Sequence, residues 1–332
     1  MNDTRYNWAV LGCGKIAAKF AADLALLPKA RLYAAASRSL ENAQDFANKA
    51  GFERAYGSYE DLAADPAVDV VYVATPHAFH KEHSVLCLRK GKAVLCEKAF
   101  AINAAEALDM VRAAKDHGAF LMEAFWTMFQ PSFQAALALI GSGELGALKA
   151  VRADFAFKPP YDPRGRLFDT ALGGGSLLDI GIYPVFAALV TLGAPDSIRT
   201  LASFGPTGSE ESILVSFGYK DGRMASLASS LAAQSPTQAE FWLEKGYLRL
   251  NRHFNGPSSL SVGKAGEEER IQRFDKGAGL GYELEAAHVM DCLDAGKLES
   301  DLLPWSLSIS LMETLDRIRA DAGIAYPGHD RL

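Results

Sequence analysis

Through its first 125 residues the chain alternates short apolar runs with segments of helical spacing. Asn7–Leu11 is apolar and ends in glycines, and Ile16–Leu27 keeps the 3.6-residue rhythm of a helix up to Pro28. Arg31–Ala36 predicts a second strand and Leu40–Ala50 an amphipathic helix. Val68–Ala74 is almost wholly β-branched or apolar, as a strand covered on both faces requires. His80–Lys90 is helical and stops at Gly91, and Ala93–Cys96 is again a strand. Asn103 and Glu106 then form a capping box for a helix that Gly118 ends. Phe120–Ala124 closes the series. Such alternation implies right-handed strand–helix–strand units and a parallel sheet.

After Pro131 the period changes. Val151, Ala153, Phe155 and Phe157 alternate with Arg152, Asp154 and Ala156, and the same period of two returns in Ile213, Val215, Phe217 and Tyr219. Phe241–Leu250 predicts a hairpin turning near Gly246, and helices are expected near Leu177–Leu192, Tyr282–Ala295 and Pro304–Ala322. The break lies over Glu123–Pro131. The expected division is therefore an α/β domain over 1–125 and, over 126–332, an α+β domain with a large, mainly antiparallel open sheet. Helices cover one face of that sheet, while the other carries Leu214, Met224 and Trp242. An uncovered apolar face of this kind predicts a homodimer.

Composition narrows the partners. A chain of 332 residues is long enough for two cores, and 49% hydrophobic with 22% charged residues is ordinary for a globular protein. A net charge of −6 argues against nucleic acid. The longest apolar stretch, around Tyr183–Ala194, is too short for a bilayer, and no basic segment leads into an apolar one before the first strand. A cytoplasmic location without membrane is the expectation. Cys13, Cys87, Cys96 and Cys292 are scattered and are read as reduced, buried thiols.

The candidate chemistry begins at Gly12-Cys13-Gly14-Lys15-Ile16-Ala17, which is G-x-G-x-x-A between a strand and a helix. In that setting Gly12 permits the tight turn, and Gly14 lets the backbone approach a pyrophosphate resting on the helix N-terminus. This makes the first domain a Rossmann domain, with Gly12, Gly14, Lys15 and Ile16 at the dinucleotide. NAD sites place an acid at the end of strand two to bind the ribose 2′-hydroxyl. Here Ser37-Arg38-Ser39 stands there instead, a guanidinium and two hydroxyls suited to a 2′-phosphate. NADP is expected over NAD.

Two more stretches carry reactive groups. Glu97-Lys98 follows a strand at its carboxyl end, the edge where such sheets bind ligands. Gly173–Tyr183, GGGSLLDIGIY, opens a helix on which Asp179 and Tyr183, four apart, share a face. Together with VLGCGKIA, AYGSYEDLAADPAVDVVYVATPHAFH, LMEAFWTMFQP and the closing GLGYELEAAH, these segments resemble, nearly end to end, the glucose–fructose oxidoreductase/inositol dehydrogenase (Gfo/Idh/MocA) family. Within it the likeness is nearest to dimeric dihydrodiol dehydrogenase-type members. The resemblance implies a catalytic site of Lys98, Asp179 and Tyr183, with Trp126 and Phe155 lining the substrate pocket. It also implies that Thr75, Pro76 and His80 lie near the nicotinamide ribose, with Glu97 on the cofactor side. Two features depart from the pattern. Ala99 replaces the usual Pro after the lysine, removing the cis option that proline supplies. Met128 and Gln130 stand where dihydrodiol-type relatives have Arg and Phe. His77, His80 and His83 recur every third residue, a spacing that fans them across a helix surface, so no metal is expected.

Oxidising an alcohol sends a hydride to nicotinamide and a proton to a base. A tyrosine, with an unperturbed pKa of about 10, becomes a usable base beside an ammonium. Lys98 can supply that charge or be the proton donor itself. Asp179 can hold Lys98 or the substrate hydroxyl. The function expected is an NADP-dependent oxidoreductase acting on a small polyhydroxy molecule: a sugar, polyol or cyclic diol. The alternatives are a non-catalytic NADP-binding regulator of the same fold and an enzyme that recycles tightly held NAD(H).

Overall fold

The computed structural model describes residues 5–275 and 277–330. It divides into two compact units, Met1–Trp126 with Lys276–Ile309, and Thr127–Asp275 with Ser310–Leu332. The first change of unit falls beside the expected break. The return of 276–309 to the first unit does not follow from a single cut, because the expected division places that segment wholly in the second domain.

The first unit runs β1 (Tyr6–Leu11), α1 (Lys15–Leu24), β2 (Ala30–Ala36), α2 (Leu40–Ala50), β3 (Arg54–Tyr56), α3 (Tyr59–Ala64), β4 (Val70–Val73), α4 (His80–Leu88), β5 (Ala93–Glu97), α5 (Ala104–His117) and β6 (Leu121–Ala124). All the strands are parallel, in the order β3-β2-β1-β4-β5-β6. The order reverses between β1 and β4, and that is the crevice where doubly wound sheets take ligands. Every side chain of β4 and β5 is buried, which is why both read as unbroken apolar runs. The helix ends are set locally. Asn103 Oδ1 accepts the Glu106 amide at 2.9 Å to start α5, and Gly118 ends it at φ +59°.

The second unit runs α6 (Pro131–Ser142), β7 (Leu148–Ala156), α7 (Ile182–Leu192), β8 (Ser197–Phe204), β9 (Glu210–Gly218), β10 (Met224–Ser230), β11 (Ala239–Leu243), β12 (Gly246–Leu250), β13 (Leu260–Lys264) and β14 (Arg270–Gln272). The sheet order is β14-β13-β12-β11-β7-β10-β9-β8, antiparallel except for the β7–β10 pair. Val151, Phe241 and Leu248 pair across the sheet and are buried on the face that α6 and α7 cover. The opposite face leaves Leu201 73%, Leu214 58%, Met224 58% and Trp242 48% exposed.

The segment Thr170–Leu192, 23 residues with mean hydropathy 1.7, has the length and composition to cross a membrane, but its helical run breaks over Gly173–Gly175. In its most apolar stretch 89% is buried inside the fold, which makes it the core helix of the second unit.

Two further helices complete the chain, α8 (Tyr282–Asp294) and α9 (Trp305–Ala322). α8 packs on α1, where the Asp23 carboxylate accepts the amides of Leu280 and Tyr282 at 2.8 and 2.9 Å and so caps the α8 N-terminus. The Trp305 indole donates to Leu121 O at 2.8 Å, and Leu121 N donates to Leu298 O at 3.0 Å. These bonds explain why the segment returns.

Candidate active site

In the first unit, the turn after β1 is built for close approach. Gly12 sits at φ +100°, and a Cβ there would fall 2.9 Å from Ala74 O, so only glycine fits. Gly14 is exposed, caps α1 without any side-chain hydrogen bond, and would meet nothing within 4 Å if given a Cβ. No acid stands in the first turn of α1. Open space before bare first-turn amides fits a pyrophosphate. Lys15 is exposed beside it and Ile16 half-buried.

At the end of β2, Ser37 N donates to Tyr56 O at 3.2 Å. Ser39 Oγ is occupied as the N-cap of α2, accepting from Asn42 N at 3.3 Å. Arg38 is exposed and makes no ion pair among the described residues. Its charge reaches Tyr59 and His83, whose rings meet edge-on at 4.6 Å. Burial lowers the His83 pKa to about 4, with Arg38 adding to the effect and Glu60 opposing it. His83 Nδ1 lies 3.0 Å from Thr75 Oγ1.

The carboxyl edge of the sheet carries Thr75 and Pro76, both half-buried, ahead of a 3₁₀ turn over His77–Phe79. His80 is fully buried, and its two ring nitrogens lie 2.7 Å from Ala99 O and 2.8 Å from Thr75 O. Burial lowers its pKa to about 4. The ring thus ties the backbone just after Lys98 to the Thr75 turn. The rings of His77 and His80 meet edge-on, 5.5 Å apart. Glu97 is also turned inward: the Tyr72 hydroxyl donates to its Oε1 and the Lys98 amide to its Oε2 at 3.2 Å. Lys98 itself is half-buried. The Lys98–Ala99 peptide is cis although Ala99 is not proline, so the expected loss of the cis form is corrected. Trp126 stacks on Tyr282 at 4.3 Å and 8° between planes.

In the second unit, a π-helical turn over Leu177–Gly181 runs directly into α7. It carries Asp179, 5% exposed, and α7 carries Tyr183, 6% exposed. The carboxylate of Asp179 accepts from Arg166 Nη1 at 2.8 Å, a partner that the sequence did not single out. Phe155 on β7 lies 5.7 Å from the Tyr183 ring and 6.2 Å from Phe157. Phe155, Phe157 and Leu167 pack on a core of Phe168, Ile180 and Leu231, and Tyr161 meets Phe168 edge-on at 4.8 Å. Tyr183 is thus flanked by an aromatic surface, and Asp179 has a cation beside it.

Residues 6–125 match the oxidoreductase family with an NAD-binding Rossmann fold, and residues 133–249 match the Gfo/Idh/MocA C-terminal domain. The chain belongs to the Gfo/Idh/MocA family.

As a member of that family it is an oxidoreductase with an NAD(P)-binding Rossmann unit. It is 38% identical over 336 residues to trans-1,2-dihydrobenzene-1,2-diol dehydrogenase of Homo sapiens, covering 98% of this chain and 99% of that one. The Xenopus tropicalis protein of the same name is 35% identical, with 96% and 99% covered. Among solved structures, a 3-ketoreductase from Actinomadura kijaniata in complex with NADP and TDP-benzene superposes with a TM-score of 0.86 at 24% identity. An aldose–aldose oxidoreductase from Caulobacter crescentus does so at 0.87 and 24%. Each of these two covers 96% of this chain and 98% of its own. Within this Gfo/Idh/MocA chain the residue missed from sequence is Arg166. A lone buried acid in an otherwise apolar helix needs a charged partner, and the 158–170 loop offers Arg164 and Arg166.

Proposed function

We propose that this protein is an NADP-dependent dehydrogenase or reductase of cyclic diols and related polyhydroxy molecules, the first unit holding the cofactor and the second offering the substrate surface. The observation that carries the reading is the aromatic surround of Tyr183: Phe155 at 5.7 Å, with Phe157 and Phe168 in the same cluster. A flat ring can lie on that surface with its hydroxyl at a phenol, and the relatives at 35–38% identity carry the name of a cyclic-diol dehydrogenase. Bound nicotinamide supplies hydride acceptance or donation. The remaining chemistry belongs to this chain. Tyr183 exchanges a proton with the carbinol oxygen. Lys98 supplies positive charge that favours the phenolate. Asp179, charge-paired with Arg166, fixes the substrate hydroxyl. Trp126 and Phe155 supply apolar contact. Gly12, Gly14, Lys15 and Ile16 cradle the pyrophosphate, Ser37 and Arg38 take the 2′-phosphate, and Thr75 and Pro76 shape the ribose side.

The test is a panel of trans-cyclic diols, aldoses and linear polyols, with NADP and NAD side by side, read at the reduced-nicotinamide absorbance band. Turnover is expected with NADP and highest for cyclic diols. Tight NADPH binding without turnover of any member would make the protein a regulator instead.

The open face of the second unit's sheet is assigned to a two-fold dimer, since Leu201, Leu214, Met224 and Trp242 form an exposed apolar set on a single face. Light scattering at micromolar concentration is expected to give twice the chain mass. Trp242→Glu, which sets a charge in that face, is expected to halve it while leaving the circular dichroism spectrum intact. A wild-type monomer ends this assignment.

A further inference from the structure

The helix that carries Asp179 and Tyr183 has no cap of its own. Ser176 precedes its first turn but makes no capping bond. The Ser176 hydroxyl instead pairs with Ser229 Oγ on β10 at 2.9 Å. The missing acceptor comes from β9: Glu210, fully buried, takes the Leu177 amide on Oε1 at 2.6 Å. The chain is shaped to admit it. Gly175 lies at φ +135°, and a methyl group at that position would overlap the Glu210 carboxylate. Gly181, at the other end of the turn, would meet Ser229 Oγ at 2.6 Å if it carried a Cβ. The π-turn is therefore held at its start by the Glu210 carboxylate and the Ser176–Ser229 pair, and at its end Gly181 leaves room for Ser229. Asp179 lies two residues beyond Leu177, and Tyr183 two beyond Gly181.

We propose that Glu210 is a positioning residue for the reaction, its buried carboxylate fixing the first turn of the helix and so the placement of Asp179 and Tyr183. This rests on the assignment of those two side chains to catalysis. Glu210 does not touch substrate or cofactor in this scheme. A buried carboxylate at a helix start is bound by the amides and by the dipole, so its charged form holds the turn more tightly than its neutral form. Burial pushes the Glu210 pKa up to about 7, against the pull of the Leu177 amide and of Arg319 on α9. The other titratable groups facing it are Tyr326, whose buried hydroxyl makes no hydrogen bond among the described residues, with Asp330 and Asp316 behind it. Those two acids engage the Arg319 guanidinium. No ionisable side chain comes from the 173–176 turn, and Ser229 is the group that β10 turns to the helix start. Activity should therefore fall as the pH drops through about 7 and the carboxylate takes up its proton.

Glu210→Gln keeps an acceptor for the Leu177 amide and loses the charge, so the fold is retained. The expected result is a fivefold to tenfold fall in kcat, roughly the difference between a charged and a neutral hydrogen bond. KM for NADP should be unchanged, because the cofactor residues lie in the other unit. The acidic limb near pH 7 should be absent from the variant's profile. Glu210→Asp, which restores charge on a shorter arm, should recover the limb. Superimposable pH profiles for wild type and Glu210→Gln would overturn the proposal. So would a Glu210→Gln effect that persists undiminished in a Tyr183→Phe background, since a residue acting through Tyr183 has nothing left to position there. If Tyr183→Phe is itself fully active, the catalytic assignment fails on its own result, separately from the pH comparison.

Discussion

Tyr183→Phe is expected to lower kcat by about 10²–10⁴-fold, the usual contribution of a positioned acid/base, while Kd for NADPH and the melting temperature stay near wild type. The ring is held against Phe155 at 5.7 Å, and phenylalanine keeps that contact. What it removes is the hydroxyl. The measurement is steady-state kinetics with the best substrate of the panel, beside NADPH fluorescence titration. A variant keeping more than about a tenth of wild-type turnover is losing too little for that role, and proton transfer then passes to Lys98.

The second large effect concerns cofactor choice. Arg38 is exposed at the end of β2, with no ion pair among the described residues and no acid beside it on the strand. A hydrogen bond to a charged group contributes about 1.5–3 kcal/mol. At about 1.4 kcal/mol per decade, Arg38→Ala should cost NADP roughly 10–100-fold in kcat/KM. NAD lacks the phosphate and should change little. Because Arg38 brings the charge and a serine only a neutral donor, the arginine should carry most of the discrimination, and Ser39→Ala should move the NADP/NAD ratio far less. A ratio untouched by Arg38→Ala would mean that the guanidinium points to solvent.

The first unit was legible because its signals are local. The apolar run of β4, the Asn103 cap and the left-handed Gly118 are each readable within a few residues, and each lies where the periodicity places it. The first change of unit, at Trp126/Thr127, lies a few residues before the period change at Pro131. The return of 276–309 left no such mark. α8 reads as any amphipathic helix, and nothing in its spacing says that Asp23 caps it. The same limit applies around Asp179. Its place on the helix follows from GGGSLLDIGIY, but Arg166 reaches it from a loop without periodicity, and Glu210 looks like any acid at the start of a strand. The hydrogen bonds of His80 to Ala99 O and Thr75 O are likewise illegible in the sequence, because which group a ring faces is decided by packing.

The bond from Asp23 to the start of α8 spans 257 residues of chain. At the usual pace of synthesis, about 5–20 residues per second, the partner of Asp23 emerges roughly 13–50 s after it. Once residue 124 is made, the nascent first unit has all six of its strands but no α8, and β6 is left as an edge whose Leu121 amide still lacks Leu298 O. An unpaired edge beside uncovered apolar surface is what chaperones bind and what aggregates. The amino-terminal unit is therefore finished late, once most of the second unit has already been made, and a fragment ending at residue 126 would stay in that unfinished state.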